Sequence, residues 1–154
     1  MEELALKRCI KWLKGTAKSY YSINAVTEEE NGKLVLWTDS NWAAPRSTSG
    51  WKILWGGTTL QTASRTQATS ALSSAEAEII AANEGAEEAV FLQNVLQELE
   101  GRSIVIELRC DASACVAFCR RIGVGRVRHL ELRPLWVRDQ IKAGKVADHG
   151  LSLV

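Results

Sequence analysis

Apolar and polar positions follow two different periods along this chain, and the changes of period mark its elements. Residues 2–14, EELALKRCIKWLK, place Leu6, Ile10 and Leu13 on one side of a predicted short helix that Gly15 ends. Residues 16–32 are polar and turn-like and close on Asn31-Gly32. A β-rich region follows: KLVLWTD (33–39) is a predicted strand ending in Asp39, then a loop carries Pro45 and Gly50. WKILW (51–55) and TTLQTAS (58–64) form a hairpin around Gly56-Gly57.

The longest element begins at Ser73, which with Glu76 three residues later makes a capping box. From there Ala75, Glu78, Ala82, Gly85, Ala89, Leu92, Leu96 and Leu99 recur at steps of three and four, the stripe of a helix laid on a core. Gly101 closes it, SIVIELRCD (103–111) is a strand ending in Asp111, and ASACVAFCRR is a short helix. A Gly- and Arg-rich loop, IGVGRVRH, leads to a last helix over roughly 130–143 with Leu132, Leu135, Trp136 and Ile141, Pro134 in its first turn and Gly144 as cap. KVADHGLSLV then begins another strand and stops. A strand–helix–strand crossover joins the hairpin sheet to the fourth strand, so the expected fold is α/β with a mixed sheet.

One member of the long stripe is wrong for a core. Glu78 puts a carboxylate there, which costs several kcal/mol without a partner. Either it is partly exposed near the positive end of the helix dipole, or it is a metal ligand or acid–base group facing a site. Glu76 lies about 200° away around the helix and needs only its cap and water. Asp39 and Asp111 each end an apolar strand. If the strands are parallel neighbours, both face one crevice, and the helix between them brings Glu78 close. Strand-end aspartates also serve as turn or helix caps, Asp111 before Ala112 among them. Three gathered carboxylates would instead repel strongly, a repulsion that divalent cations relieve; oxygen donors favour magnesium or manganese over zinc. Two such ions suit phosphodiester hydrolysis.

The chain's 154 residues suit one domain, and a composition 46% apolar and 24% charged is ordinary for a soluble chain. No apolar run is long enough to span a membrane and no signal-peptide core is present, so no membrane partner is expected, and the setting reads as cytoplasmic or nuclear. Cys110, Cys115 and Cys119 include no C-x-x-C pair, which argues for reduced thiols rather than a zinc cluster. The net charge of +1 hides an asymmetry. Residues 101–145 carry ten basic against four acidic residues, whereas residues 1–100 carry nine against thirteen. Arg120, Arg121, Arg126 and Arg128 cluster around Gly123 and Gly125; they suit nucleic-acid backbone contacts or are simply a solvated loop.

The stretches LVLWTDSNWA (34–43), RSTSGW (46–51), SALSSAEAEIIAA (70–82), IELRCDASA (106–114) and RHLELR (128–133) resemble the ribonuclease H domain of copia-type LTR retrotransposon polyproteins. ALKRCIKWLKGT (5–16) resembles the segment that joins reverse transcriptase to that domain. The resemblance implies a ribonuclease H-like fold cutting the RNA strand of RNA–DNA hybrids with two Mg2+ or Mn2+ ions, next to a reverse transcriptase domain. It divides the chain into a connection segment, 1–32, and a ribonuclease H-like domain, 33–154. It assigns Asp39, Glu78 and Asp111 as catalytic metal ligands; in its E-A-E motif the second glutamate is the ligand. It places Ser73 and Ser74 against the substrate; Arg126, Arg128 and His129 of the basic stretch are the further candidate substrate contacts. Glu131 stands where an aspartate is usual, and the loop after Trp42 is shorter and carries Ala44-Pro45. Ala147-Asp148 has the letters of the pair that supplies a fourth acid but follows Gly144 too closely. The C-terminal strand and helix are therefore expected to be missing. Two classes of function follow: a metal-dependent ribonuclease, or a weakened or inactive remnant that binds nucleic acid or protein.

Overall fold

The computed structural model describes residues 2–19, 32–120 and 135–147. Its elements are α1 (Glu2–Gly15), β1 (Lys33–Asn41), β2 (Thr48–Trp55), β3 (Thr58–Thr66), α2 (Ser74–Glu100), β4 (Val105–Cys110), α3 (Ser113–Arg120), α4 (Leu135–Lys142) and β5 (Val146–Ala147). The sheet order is β3-β2-β1-β4-β5. The first three strands pair antiparallel, while β1–β4 and β4–β5 are parallel.

Strand alternation builds the core. Leu34, Leu36 and Thr38 on β1, Trp51 and Ile53 on β2, and Ile106, Leu108 and Cys110 on β4 are all buried. Helix α2 lies on β1 and β2 and brings Ala82, Ala86 and Ala89 into that layer, with α3 and α4 beside it. Small residues let the helix backbone come close to the sheet. The expected hairpin is present: Gly56 and Gly57 both have positive φ, 54° and 77°, as a two-residue turn between right-twisted strands requires.

Ser73 caps α2 as its sequence implies, its Oγ accepting from the Glu76 N–H at 3.2 Å. Glu76 completes the cap one residue further back, Oε2 accepting from the Leu72 N–H at 2.8 Å. Gly101, at φ 66°, ends the helix. The leucine end of the predicted stripe departs from expectation. Ala82, Gly85 and Ala89 are buried, but Leu92 and Leu96 are only partly so, and Leu99 is 77% exposed. Gln93 takes over the inward position there, its Nε2 donating to Ile104 O at 2.7 Å and Lys145 O at 3.1 Å.

That contact bears on the C-terminus. KVADHGLSLV begins a strand as read, and the expectation of a missing C-terminal strand is corrected: Val146 and Ala147 form β5, in parallel register with Ile106 and Glu107. Gly144, at φ 72°, turns the chain out of α4, and Gln93 holds Lys145 as it enters the strand. Asn31, the 122–129 loop with Arg126, Arg128 and His129, Glu131, Leu132, Pro134 and Asp148 lie outside the described residues, as do Arg121 and the first turn expected for the last helix.

Helix α1 forms where its periodicity places it, with Leu6, Ile10, Trp12 and Leu13 exposed.

Candidate active site

Thr38 of β1 and Cys110 of β4 are register partners across the parallel pair, and Asp39 and Asp111 are the residues that immediately follow them. Both aspartates thus sit at the carboxyl ends of neighbouring parallel strands, where an open α/β sheet leaves a crevice. They line one cavity of about 340 Å3 together with Trp37, Thr38, Gly50, Trp51 and Lys52.

Glu78, in the second turn of α2, reaches the same end of the sheet. Its Oε1 accepts from the Ser40 hydroxyl at 2.7 Å, while Oε2 is buried and without a hydrogen-bond partner. A carboxylate oxygen on Glu78, one on Asp111 and the Cys110 sulfur all lie within 4.8 Å of one another. Asp39 is not in that tight group. It follows buried Thr38 on the strand and is exposed. Its charge still acts on Glu78. Burial pushes the Glu78 carboxyl above its ordinary value of 4.5, and the negative charges of Asp39 and Asp111 add to the rise against the hydrogen bonds from Ser40.

The sequence reasoning did not single out Ser40 or Cys110. The serine carried a usable signal, a hydroxyl next to a strand-end acid. Cys110 did not, because Glu78, the carboxylate that meets it from α2, is far away in sequence. Its thiol is lowered, first by a hydrogen bond from Cys115 and also by the Ala112 N–H. Cys115 is pushed up by hydrogen bonding to Cys110 and Cys119 and by burial, so it stays a protonated donor. At the rim Trp42 is exposed, its Nε1–H donating to Ala71 O at 3.2 Å and tying the loop after β1 to the lead-in of α2. Ser73 is held by its cap, and Ser74 is exposed beside it.

The raised Glu78 carboxyl predicts a pH signature in the absence of metal. A group raised on folding gives stability that is complete below its unfolded value and is lost as pH rises through the folded one. The melting temperature of wild type relative to Glu78→Gln should therefore fall between pH 4.5 and neutrality. A pH-independent difference would mean that the carboxyl is unperturbed.

Strand order, the crossover through α2 and the strand-end carboxylates together define a ribonuclease H fold. The chain matches LC11-RNase H1, isolated from compost by a metagenomic approach, with a TM-score of 0.57 and 17% identity, over 80% of this chain and 83% of that one. In sequence it is similar to one retrotransposon polyprotein and one effector protein. It is 26% identical over 142 residues to the retrovirus-related Pol polyprotein from transposon TNT 1-94 of Nicotiana tabacum, covering 89% of this chain. It is also 38% identical over 92 residues, 57% of this chain, to secreted RxLR effector protein 161 of Plasmopara viticola. The chain spans 10% of the length of the polyprotein and 63% of the effector. No family model matches it. Among the described residues, no helix is long and apolar enough to cross a membrane.

Proposed function

We propose that this chain is the ribonuclease H domain of a copia-type retrotransposon polyprotein and hydrolyses the RNA strand of RNA–DNA hybrids. The observation that carries this reading is the junction of β1, β4 and α2, where Glu78 meets Asp111 with one buried carboxylate oxygen unpartnered and Asp39 close enough to raise its pKa. Leaving such an acceptor unsatisfied costs on the order of 1–3 kcal/mol, which a cation bound there would offset.

The donor set of three carboxylates fits magnesium or manganese, with Asp39, Glu78 and Asp111 as the holding residues. Two such ions, when bound, supply Lewis-acid stabilisation of the attacking and leaving oxygens of a phosphodiester. The chain's own part is positioning. Ser40 fixes one oxygen of Glu78 and leaves the other, buried and unpartnered, to a cation, and the capped start of α2 holds Glu78 at the level of the strand ends. Ser73 and Ser74 stand at that helix start, where a ribose 2′-hydroxyl would distinguish RNA from DNA. Arg126, Arg128 and His129 supply phosphate contacts in this reading. Residues 1–32 form the connection to a reverse transcriptase domain, which would cover the exposed side of α1.

The test is cleavage of end-labelled RNA in a hybrid with DNA. Wild type should cut in magnesium, lose cutting in chelator, and lose it in Asp111→Asn while still binding the hybrid. Binding without cleavage in both magnesium and manganese would leave the rival function, a nucleic-acid-binding module, in place of the nuclease. Failure to bind the hybrid at all would exclude both.

A further inference from the structure

Cys110 has no part in that hydrolysis, yet it stands within the acidic group. It is 1% exposed, it ends β4 directly before Asp111, and its sulfur lies within 4.8 Å of oxygens on both Glu78 and Asp111. We propose that Glu78, Cys110 and Asp111 form a mixed thiolate–carboxylate site for a borderline or soft divalent cation of the zinc–cadmium class, and that its occupation shuts off the hybrid-cleaving site. The shut-off rests on the nuclease reading; the binding does not.

The donor set sets this cation apart from magnesium. Thiolate sulfur selects zinc and cadmium, whereas magnesium takes oxygen donors and retains water. Three protein donors with an open fourth position is a familiar zinc arrangement. Tetrahedral zinc with sulfur at about 2.3 Å and oxygen at about 2.0–2.2 Å needs donors roughly 3.3–3.7 Å apart. The observed limit of 4.8 Å therefore closes by about one ångström, within reach of side-chain rotation at Glu78.

A second observation points to the same place. Thr38, only 5% exposed, is the register partner of Cys110 on the neighbouring strand, and its buried Oγ1 has no partner other than the Cys110 thiol. A hydroxyl beside a metal-bound thiolate can donate to it, the outer-shell contact that metal ligands commonly receive. Glu78 in the same group also has a buried Oε2 with no partner. On binding, the Cys110 S–H bond breaks, its proton passes to solvent and a sulfur–metal bond forms; no electron is transferred. Glu78 and Asp111 are then both held by the wrong ion, so zinc and catalytic magnesium exclude each other.

The experiment uses the full chain, reduced and freed of metal, with cadmium as the probe. Titration should give one thiolate-to-cadmium charge-transfer band in the ultraviolet per chain, displaced by zinc. Cys110→Ala should abolish the band, Cys9→Ala and Cys115→Ala should keep it, and Glu78→Gln should weaken cadmium binding at least tenfold. In the cleavage assay, zinc should inhibit wild type at least tenfold more strongly than Cys110→Ala. A band that survives in Cys110→Ala, or whose affinity is indifferent to Glu78→Gln, overturns the site; the second result would assign cadmium to the Cys110–Cys115 thiol pair. If Cys110→Ala does not fold, the Glu78→Gln titration decides alone. Absence of cleavage in every sample overturns the nuclease reading and leaves the spectroscopic result standing.

Discussion

Glu78→Gln is expected to lower magnesium-dependent hybrid cleavage at least ~100-fold, the scale of losing a charged group aimed at the reacting centre, while Glu76→Gln leaves cleavage unchanged. The two glutamates are two residues apart on one helix and have opposite surroundings. Glu76 Oε2 accepts from the Leu72 N–H, a contact that a glutamine oxygen keeps. Removing its charge forfeits only its favourable place near the helix N-terminus, about 0.3–1 kcal/mol. Glu78 is half-buried, repelled by Asp39 and Asp111, and held on one side only, by Ser40. Without metal, its ionisation at neutral pH opposes folding, so Glu78→Gln should melt higher than wild type there. With magnesium the order should reverse, because wild type gains stability by mass action and the variant does not. Cleavage by end-label assay and paired melts with and without magnesium check both halves. Equal cleavage in Glu78→Gln and wild type, or loss confined to Glu76→Gln, would remove Glu78 from the site.

Local signals carried most of the frame. Gly56-Gly57, the Ser73 cap and Gly101 are short-range devices, and each acts in the structure where the sequence places it. The two strand-end aspartates were legible because apolar runs stop at them. The parallel pairing of β1 with β4 then follows from the crossover. What escaped depends on contacts between distant segments. Strand β2 starts at Thr48 rather than Trp51 because polar Ser47 and Ser49 are buried. Gln67 makes that possible: its N–H donates to Ser47 O at 2.8 Å, and its Nε2 to Ser49 Oγ at 3.0 Å and Ala77 O at 2.9 Å. A hydropathy pattern has no way to show a buried serine that is satisfied by a glutamine eighteen residues on. Leu99 was misplaced for a related reason: helical period gives a face, not the point where the sheet beneath it ends. Strand β5 rests on Gln93 and a short register with β4, neither visible in the residues 145–147. Asp39 shows the limit at the site itself. Its position at the strand end was readable, but the face to which its side chain turns depends on pairing with β2 and on where α2 settles.

Where α2 settles is decided largely by Gly85, and Gly85→Val is expected to destabilise the protein by about 3 kcal/mol or more, enough to lower the melting temperature by roughly 10 °C. A Cβ at this position would lie 2.9 Å from Thr38 Cγ2, 3.1 Å from Leu36 Cδ1 and 3.2 Å from Trp51 Cβ. Thr38 and Trp51 are buried on paired strands, so neither can swing aside. Gly85→Ala separates the competing effects. In an unobstructed helix that change stabilises by about 0.5–1 kcal/mol. Overpacking a tight core costs typically 1–3 kcal/mol, and the 2.9 Å approach to a β-branched side chain puts this site in that range, so the net is a loss of about 1–2 kcal/mol. The same wedge should reach the chemistry. Thr38 lies two residues before Ser40, so lifting α2 from β1 stretches the 2.7 Å Ser40–Glu78 hydrogen bond. Cleavage by Gly85→Ala, measured well below its melting temperature, should therefore fall several-fold although the protein is fully folded. Urea midpoints give the stability change, and rates at saturating magnesium give the positional one. If Gly85→Ala is as stable as wild type and as active, the close approach of α2 to the sheet is not what places Glu78.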